Sequence, residues 1–336
     1  MKRRKIKAWA LLGMLAVWAA LGAGCAAGAQ NSQATPEPAG ANGKAAGEKP
    51  SLPDKLQVNA EGVPVLRVYQ VDEEETREMD LETYIQGVVA GEMKNDWPME
   101  ALKAQAILAR TFVLKFCTEK SSKYENADIS TDVEEAQAYD ATAVNDRVEQ
   151  AVRETRGLVL SFHGELPYAW FHAHSGGVTE RAQEGLNWKQ EEPGYTKVTQ
   201  GRDSSQAPAE AREWQAAFSA EEMLAAAKKA GWTGSAPLSS VEIGKKSESG
   251  RAVTLLLNGQ EVSAPELRLA LGASAMRSTL LTELSFQAQT VTMRGTGYGH
   301  GVGMPQWGAY GMAEEGRSAE EIVRYYFDDV TVEALW

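Results

Sequence analysis

The chain has 336 residues and a formal net charge of −12, long enough for one large domain or two ordinary ones. Five of its 34 basic residues fall within Met1–Lys7, so the remainder sets 29 basic against 46 acidic residues, a balance of −17. That balance excludes a general nucleic-acid binder, whose phosphate contacts need a basic footprint, and any anionic ligand must be met by locally placed cations.

Lys2, Arg3, Arg4, Lys5 and Lys7 precede an uncharged run, Ala8–Ala27, which at roughly 20 residues can span a bilayer as a helix. Positive residues before the run keep the N-terminus in the cytoplasm and put the bulk of the chain outside. Three fates are open: a retained anchor, a cleaved signal peptide, or lipid attachment at Cys25. Leu21-Gly22-Ala23-Gly24-Cys25 resembles a bacterial lipobox, with Gly22 where leucine is usual, and the retained anchor is the expectation. Cys117 is the only other cysteine, which argues against an intrachain disulfide and reads as a small core residue. Gln30–Pro53, rich in Ala, Gly, Pro and Ser, reads as a flexible tether. The expected division is 1–27 membrane segment, 28–60 linker and 61–336 folded domain.

Structure is expected to begin near Val63, with an alternating strand over Val65–Val71 that ends at the acidic turn Asp72–Glu75. Asp80 is placed to cap a helix from Leu81 to about Met93. Pro98 suits the first turn of a second, alanine-rich helix to about Thr118. Glu92 closes the apolar phrase GVVAGEM between them. A carboxyl among apolar neighbours resists ionisation and can donate a proton at neutral pH, so Glu92 is a candidate general acid. A solvated glutamate at a helix end is the plainer alternative. Lys103 and Arg110, seven residues apart, share one stripe of the second helix, which a solvated face explains equally well.

Ser121–Asp140 is polar and loop-like, Asn145–Thr155 reads as a surface helix, and Gly157–Phe171 as two strands about a His163-Gly164 turn. In FHAHSGGVTE, His172 and His174 share one face of an extended segment, and Ser175-Gly176-Gly177 forms a tight turn whose backbone N–H groups can face a ligand. Trp188–Gln215 reads as irregular. Ser219 and Glu222 form a capping box for a helix ending at Gly231. Val241–Ile243 and Ala252–Leu257 read as strands, with Asn258-Gly259 as a hairpin turn. Ser263 and Glu266 open a short helix that stops at Gly272, and Leu284–Phe286 and Thr290–Arg294 complete the strands.

In GTGYGHGVGMPQWGAYG, Gly295, Gly297, Gly299, Gly301 and Gly303 fall at every second residue. On an extended chain one face is bare while Tyr298, His300, Val302 and Met304 project from the other. Such glycines mark close approach of a ligand or another backbone. Pro305–Glu314 suggests a helix carrying Gln306, Trp307 and Tyr310. Ser318 and Glu321 cap the last helix, through Tyr326, before a closing strand near Val330–Val332. The fold class is α+β: mixed and antiparallel sheets with several helices packed around them, in a single large extracytoplasmic domain behind an N-terminal transmembrane helix.

The phrases GVVAGEM…PMEALKAQAILARTF, FHAHSGGVTE and GYGHGVGMPQWGAYGMAEEG, in this order, resemble the stage II sporulation protein D family. So do the N-terminal anchor, the middle segment SGRAVTLLLNGQEVSAPELRLALG and the overall length. The resemblance covers Val63 to the end of the sequence. It implies a peptidoglycan lytic transglycosylase that cuts between N-acetylmuramic acid and N-acetylglucosamine in glycan strands stripped of stem peptides, leaving a 1,6-anhydro end. It also implies a partner amidase and a membrane scaffold in wall remodelling during engulfment, with the domain tethered at the cell membrane.

The family's glutamate falls on Glu92, its lysine and arginine on Lys103 and Arg110, and its histidine-serine-glycine phrase on His172, Ser175, Gly176 and Gly177, with His174 at a variable position. Lys103 or Arg110 would then pair with the muramyl lactyl carboxylate. Tyr298, Trp307 and Tyr310 would offer faces to sugar rings, beside His300 and Gln306, and the glycines would let a glycan lie against backbone. One acid suffices for this reaction, because the muramyl C6 hydroxyl replaces water. No cofactor is implied. Some relatives hold zinc through His and Cys in the loop after the second helix. Ser121–Asp140 has neither, and the two histidines at 172 and 174 do not complete a tetrahedral site. No metal is expected, and packing around Tyr124 and Tyr139 is expected to take its place. Two other readings stand beside this one: a non-enzymatic wall-binding module that stimulates an amidase, and a hydrolase pairing Glu92 with Asp96.

Overall fold

Residues 49–336 are described by a computed structural model; the expected anchor and the Cys25 lipid site lie outside them. Pro50 and Pro53 are buried, and Gln57–Val58 (β1) pairs antiparallel with Pro64–Gln70 (β2). Part of the stretch read as linker therefore belongs to the fold. Glu75–Asp80 (β3) runs antiparallel to the other edge of β2. Its sequence, ETREMD, has no apolar alternation because Met79 is its only apolar side chain on the core, so pattern reading passes over it.

Leu81–Glu92 (α1) starts where expected: Thr83 N donates to the Asp80 carboxylate at 3.0 Å, which satisfies one of the helix's open N–H groups. Met99–Glu119 (α2) follows, with Leu102, Ile107, Leu108 and Leu114 fully buried. A helix that is apolar on nearly every side belongs at the centre of a core, and each such side chain contributes roughly 1.5–3 kcal/mol by leaving water. Around it lie α1, Asp146–Glu154 (α3) and Leu158–Phe162 (β5), with Ile129–Ser130 (β4) parallel to β2. Cys117 is free and 2% exposed, its thiol pushed up to about 12 by burial.

Beyond β5 the expected His163-Gly164 turn forms, with both φ values positive, but no second strand extends the ladder from it. Glu165 makes only a single bridge back to Phe162, since Pro167 lacks an N–H for the ladder. Phe171–His172 (β6) is short. Ala182–Leu186 (α4) and Ala209–Arg212 (α5) are brief helices. Glu213–Ser219 (β7) is a full strand where irregular chain was expected.

Ala220–Lys229 (α6) carries the complete Ser219–Glu222 capping box. Val241–Ile243 (β8), Thr254–Leu257 (β9) and Gln260–Ser263 (β10) form one antiparallel sheet, turning at Asn258-Gly259 with both φ values positive. Ala264–Leu271 (α7) follows, then Leu281–Gln287 (β11) and Thr290–Thr296 (β12), which pairs with β7. These elements enclose a second hydrophobic core, built from Trp214 to Met293.

The chain then returns to the first core through Met304–Pro305 (β13), parallel to β6, and through Gln306–Glu314 (α8) and Ala319–Tyr326 (α9), both packed on α2. Val330–Ala334 (β14) pairs antiparallel with β5. The fold is α+β with mainly antiparallel sheets, as expected. Its single chain carries two cores, one from the N- and C-terminal parts and one from the segment between. Among the described residues no helix is long and apolar enough to cross a membrane.

Candidate active site

Glu92 sits at the last turn of α1 and is 7% exposed. Two elements from elsewhere in the chain hold its carboxyl. Ala138 N donates to Oε1 at 2.7 Å, and Gln306 Nε2, at the start of α8, lies 3.3 Å from Oε2 and 3.1 Å from the Glu92 carbonyl oxygen. Those bonds favour the carboxylate, but burial outweighs them and pushes the pKa up to about 8. The group is therefore mostly protonated at neutral pH, the state a general acid needs.

The close approach of Ala138 is written into α1. A methyl group on Gly91 would come within 2.7 Å of the Ala138–Tyr139 backbone, and one on Gly87 would strike the Tyr139 ring. Gly87 and Gly91, one helical turn apart, cut the notch in which residues 138–139 lie. Tyr139 then stacks on Tyr84 with ring centres 5.4 Å apart. Farther along the same loop, Tyr124 stacks on Tyr69 at 4.0 Å and donates to Asp132 at 2.7 Å, while Ser122 and the Lys123 N–H hold Glu135. Aromatic stacking and polar staples thus fix the loop. Among the described residues no group of three His, Cys, Asp or Glu is placed to hold a metal.

Beside the acid stands an aromatic wall. Trp97, in the turn after α1, meets Trp307 at 4.5 Å and Tyr310 at 5.1 Å between ring centres. Tyr310 donates to Gln206 Oε1 at 3.1 Å. The structure thus brings Glu92, Gln306, Trp307 and Tyr310 together and adds Trp97 and Ala138. Asp96 is exposed on the same turn, and no charged group figures among the causes of the Glu92 shift.

Lys103 and Arg110 lie elsewhere. Lys103 is neutralised by Glu100 at 2.8 Å and Glu154 at 2.6 Å, which turns it toward α3. Arg110 has no exposed surface. It grips Glu82 through Nε at 3.2 Å and Nη2 at 2.6 Å, and donates to Leu158 O at 2.9 Å. The shared stripe is real, but it faces structural carboxylates, so neither cation is presented to a ligand as the family resemblance implied.

The glycine stretch also departs from expectation. Gly297, Gly299, Gly301 and Gly303 all have φ between 72° and 119°, so this is not an extended strand with one open face. Their bare sides meet the protein itself: a methyl group on Gly297 would touch Gly176 N and His174 O, and one on Gly299 would strike His172. Tyr298 and His300 are 9% and 4% exposed.

The His172–Gly177 phrase forms the opposite layer. His172 Nδ1 lies 3.1 Å from Val302 O, and Ser175 N donates to Asp203 at 3.0 Å, with a further bond from the Ser175 hydroxyl to the same carboxylate. Burial beside Arg251 and His300 holds His172 neutral. These residues frame the site rather than line it. Met304 N donates to Trp170 O at 3.1 Å and Trp307 N to Ala173 O at 3.0 Å, which seats the start of α8 and so aims Gln306 at Glu92. Gly177 alone of the phrase is exposed.

The raised Glu92 pKa has a stability consequence. The folded state keeps a proton that the unfolded chain, at the ordinary value of 4.5, gives up. The group's contribution is full below about pH 4.5, is lost as pH rises to about 8, and is constant above that. The whole change is about 5 kcal/mol. Urea unfolding of wild type and Glu92→Gln across this range is expected to show the variant gaining on wild type as pH rises, by about 3 kcal/mol or more at pH 9 after allowing for an imperfect amide–amide contact with Gln306. A stability difference that does not change with pH would contradict the buried acid.

Comparison with known proteins gives a family match over residues 69–162, to the model described as Stage II sporulation protein, and a second over residues 172–303, to a domain of unknown function (DUF8618). An uncharacterized protein of Brachyspira hyodysenteriae is 30% identical over 271 residues, 76% of this chain and 67% of the relative. Stage II sporulation protein D of Bacillus subtilis is 27% identical over 295 residues, covering 83% and 81%. The Bacillus subtilis protein named amidase enhancer is 27% identical over 299 residues, 74% of this chain but 40% of the relative.

Proposed function

Because the chain belongs to the stage II sporulation protein D family, we propose that it is a lytic transglycosylase acting on peptide-stripped peptidoglycan outside the cytoplasmic membrane, in the wall remodelling of sporulation. The observation that carries the reading is a single buried carboxyl with a pKa of about 8, next to an aromatic wall and without a charged neighbour that shifts it. Protonated Glu92 gives its proton to the oxygen joining muramic acid to glucosamine, and the C1–O4 bond breaks. The carboxylate so formed takes the proton of the muramyl C6 hydroxyl, whose oxygen closes on C1. The acid is regenerated and no water is consumed. Hydrolysis would call for a second carboxylate to activate water or attack the sugar.

Tyr310, the part-exposed member of the wall, would stack on a sugar ring with the buried Trp97 and Trp307 backing it, and Gln306 would keep the carboxyl oriented through both protonation states. The resemblance further suggests an amidase and a membrane scaffold as partners. The likeness to a protein named amidase enhancer favours a second reading, a wall-binding module that stimulates an amidase and has no use for Glu92. Incubating the purified protein with peptide-free glycan strands and identifying the new termini by mass spectrometry tests both. Anhydro-muramyl ends are expected. Reducing ends would point to hydrolysis, and intact strands together with a stimulated amidase would establish the second reading.

A further inference from the structure

Two arginines are buried where the two cores meet. Arg251, between β8 and β9, is 1% exposed, and Arg268, on α7, is 2% exposed. Arg251 Nη2 donates to the carbonyls of Ser175 and Val178. Its guanidinium lies on Gly301, where a methyl group would come within 2.5–2.8 Å of Nε, Cζ and Nη2. Arg268 Nε donates to Arg277 O at 3.0 Å. Among the described residues, Arg251 Nε and Nη1, Arg268 Nη2 and Thr279 Oγ1 have no hydrogen-bond partner. Thr279 belongs to the same seam, since its carbonyl accepts from Ala252 N at 2.8 Å.

Neither guanidinium touches a carboxylate in an ion pair among the described residues. The carboxylates whose charge reaches Arg251 are Glu180 and Asp203, and both are already engaged. Glu180 accepts from Ser247, Ser249 and Arg181 N, and Asp203 from Ser175 and Gly177. No carboxylate is among the groups whose charge reaches Arg268; the Tyr298 phenol and Arg251 are. The neighbourhood is electropositive enough to help hold His300 at about 3, with burial the larger cause. Glu180 and Asp203 are counter-charges within reach of Arg251, but Arg268 has none, and a buried charge without a counter-charge is among the costliest features a fold can keep. Arginine offers donors only, so what completes this cluster must accept hydrogen bonds and carry negative charge. Side chains this deeply enclosed exclude a glycan or peptide.

We propose that the seam holds a small inorganic anion of the size and charge of chloride, ligated by Arg251, Arg268 and the Thr279 hydroxyl. The anion joins the inserted core to the main one directly beneath the glycine stretch that leads into α8. It therefore stabilises the fold and the seating of Gln306 without touching substrate.

The test uses the full-length protein at fixed ionic strength. Exchanging sodium gluconate for sodium chloride or bromide is expected to raise Tm by about 5 °C in a saturable manner. Crystals grown in bromide are expected to show one strong anomalous peak between Arg251 and Arg268. Arg268→Met is expected to remove the halide dependence. Equal Tm in gluconate and halide, or no anomalous peak at that position, would overturn the proposal, and both measurements on wild type stand whether or not the variant folds.

Discussion

Glu92→Gln is expected to lower turnover of peptide-free glycan by roughly 10²–10⁴-fold, the usual range for removing a general acid–base group, while binding of the strand is retained. Glutamine keeps the shape and can still accept from Ala138 N, but has no proton to give or take. In wild type the rate is expected to fall as pH rises through about 8, where the buried acid loses its proton. Measuring kcat and KM separately decides the matter, because a merely structural role would move KM and stability and leave the alkaline limb in place. Unchanged kcat in the variant would end the assignment of Glu92.

Arg110→Met is expected to cost about 3–5 kcal/mol of unfolding free energy, because removing one partner of a buried pair strands the other charge. The partner is Glu82, whose carboxylate also accepts from Gly157 N at 3.0 Å and Trp336 Nε1 at 3.1 Å. One ion pair thus ties α1 and α2 to the start of β5 and to Trp336, two residues after β14. Urea midpoints measure the loss, and replacing Glu82 by Leu in the same protein is expected to recover part of it, since the stranded charge is then gone. A loss below about 1 kcal/mol, the value of an exposed pair, would show that Arg110 does not hold the core together.

The readings of Lys103 and Arg110 show where a sequence is legible. Seven-residue spacing placed Lys103 and Arg110 on one stripe correctly, yet spacing says nothing about which neighbour the stripe meets. Here the neighbours are Glu82, Glu100 and Glu154. Helix boundaries were readable because Asp80, Ser219 and Ser318 cap locally. The strand β3 was not, because Met79 alone of its side chains packs on the core, which leaves no apolar period. The glycine alternation was seen, but its meaning inverted. Glycines that admit a ligand and glycines that admit the protein's own backbone look alike in one dimension, and only the positive φ values and the His172–Gly176 layer separate them. Glu92 could be picked out from its apolar setting. Ala138 could not, although Gly87 and Gly91 at helical spacing were the available sign that something lies close against α1.

The groups that hydrogen-bond and help enclose the Glu92 carboxyl are distant along the chain: Ala138 is 46 residues away and Gln306 is 214. Contacts of such separation form slowly, because the entropy of closing long loops comes before any reward. Until α8 docks, the carboxyl is wetted and titrates as any glutamate does. Under the proposed function, catalytic competence would then come late in folding. A chain still in transit, or one whose C-terminal helices have locally come away, would then carry an ordinary glutamate at this position.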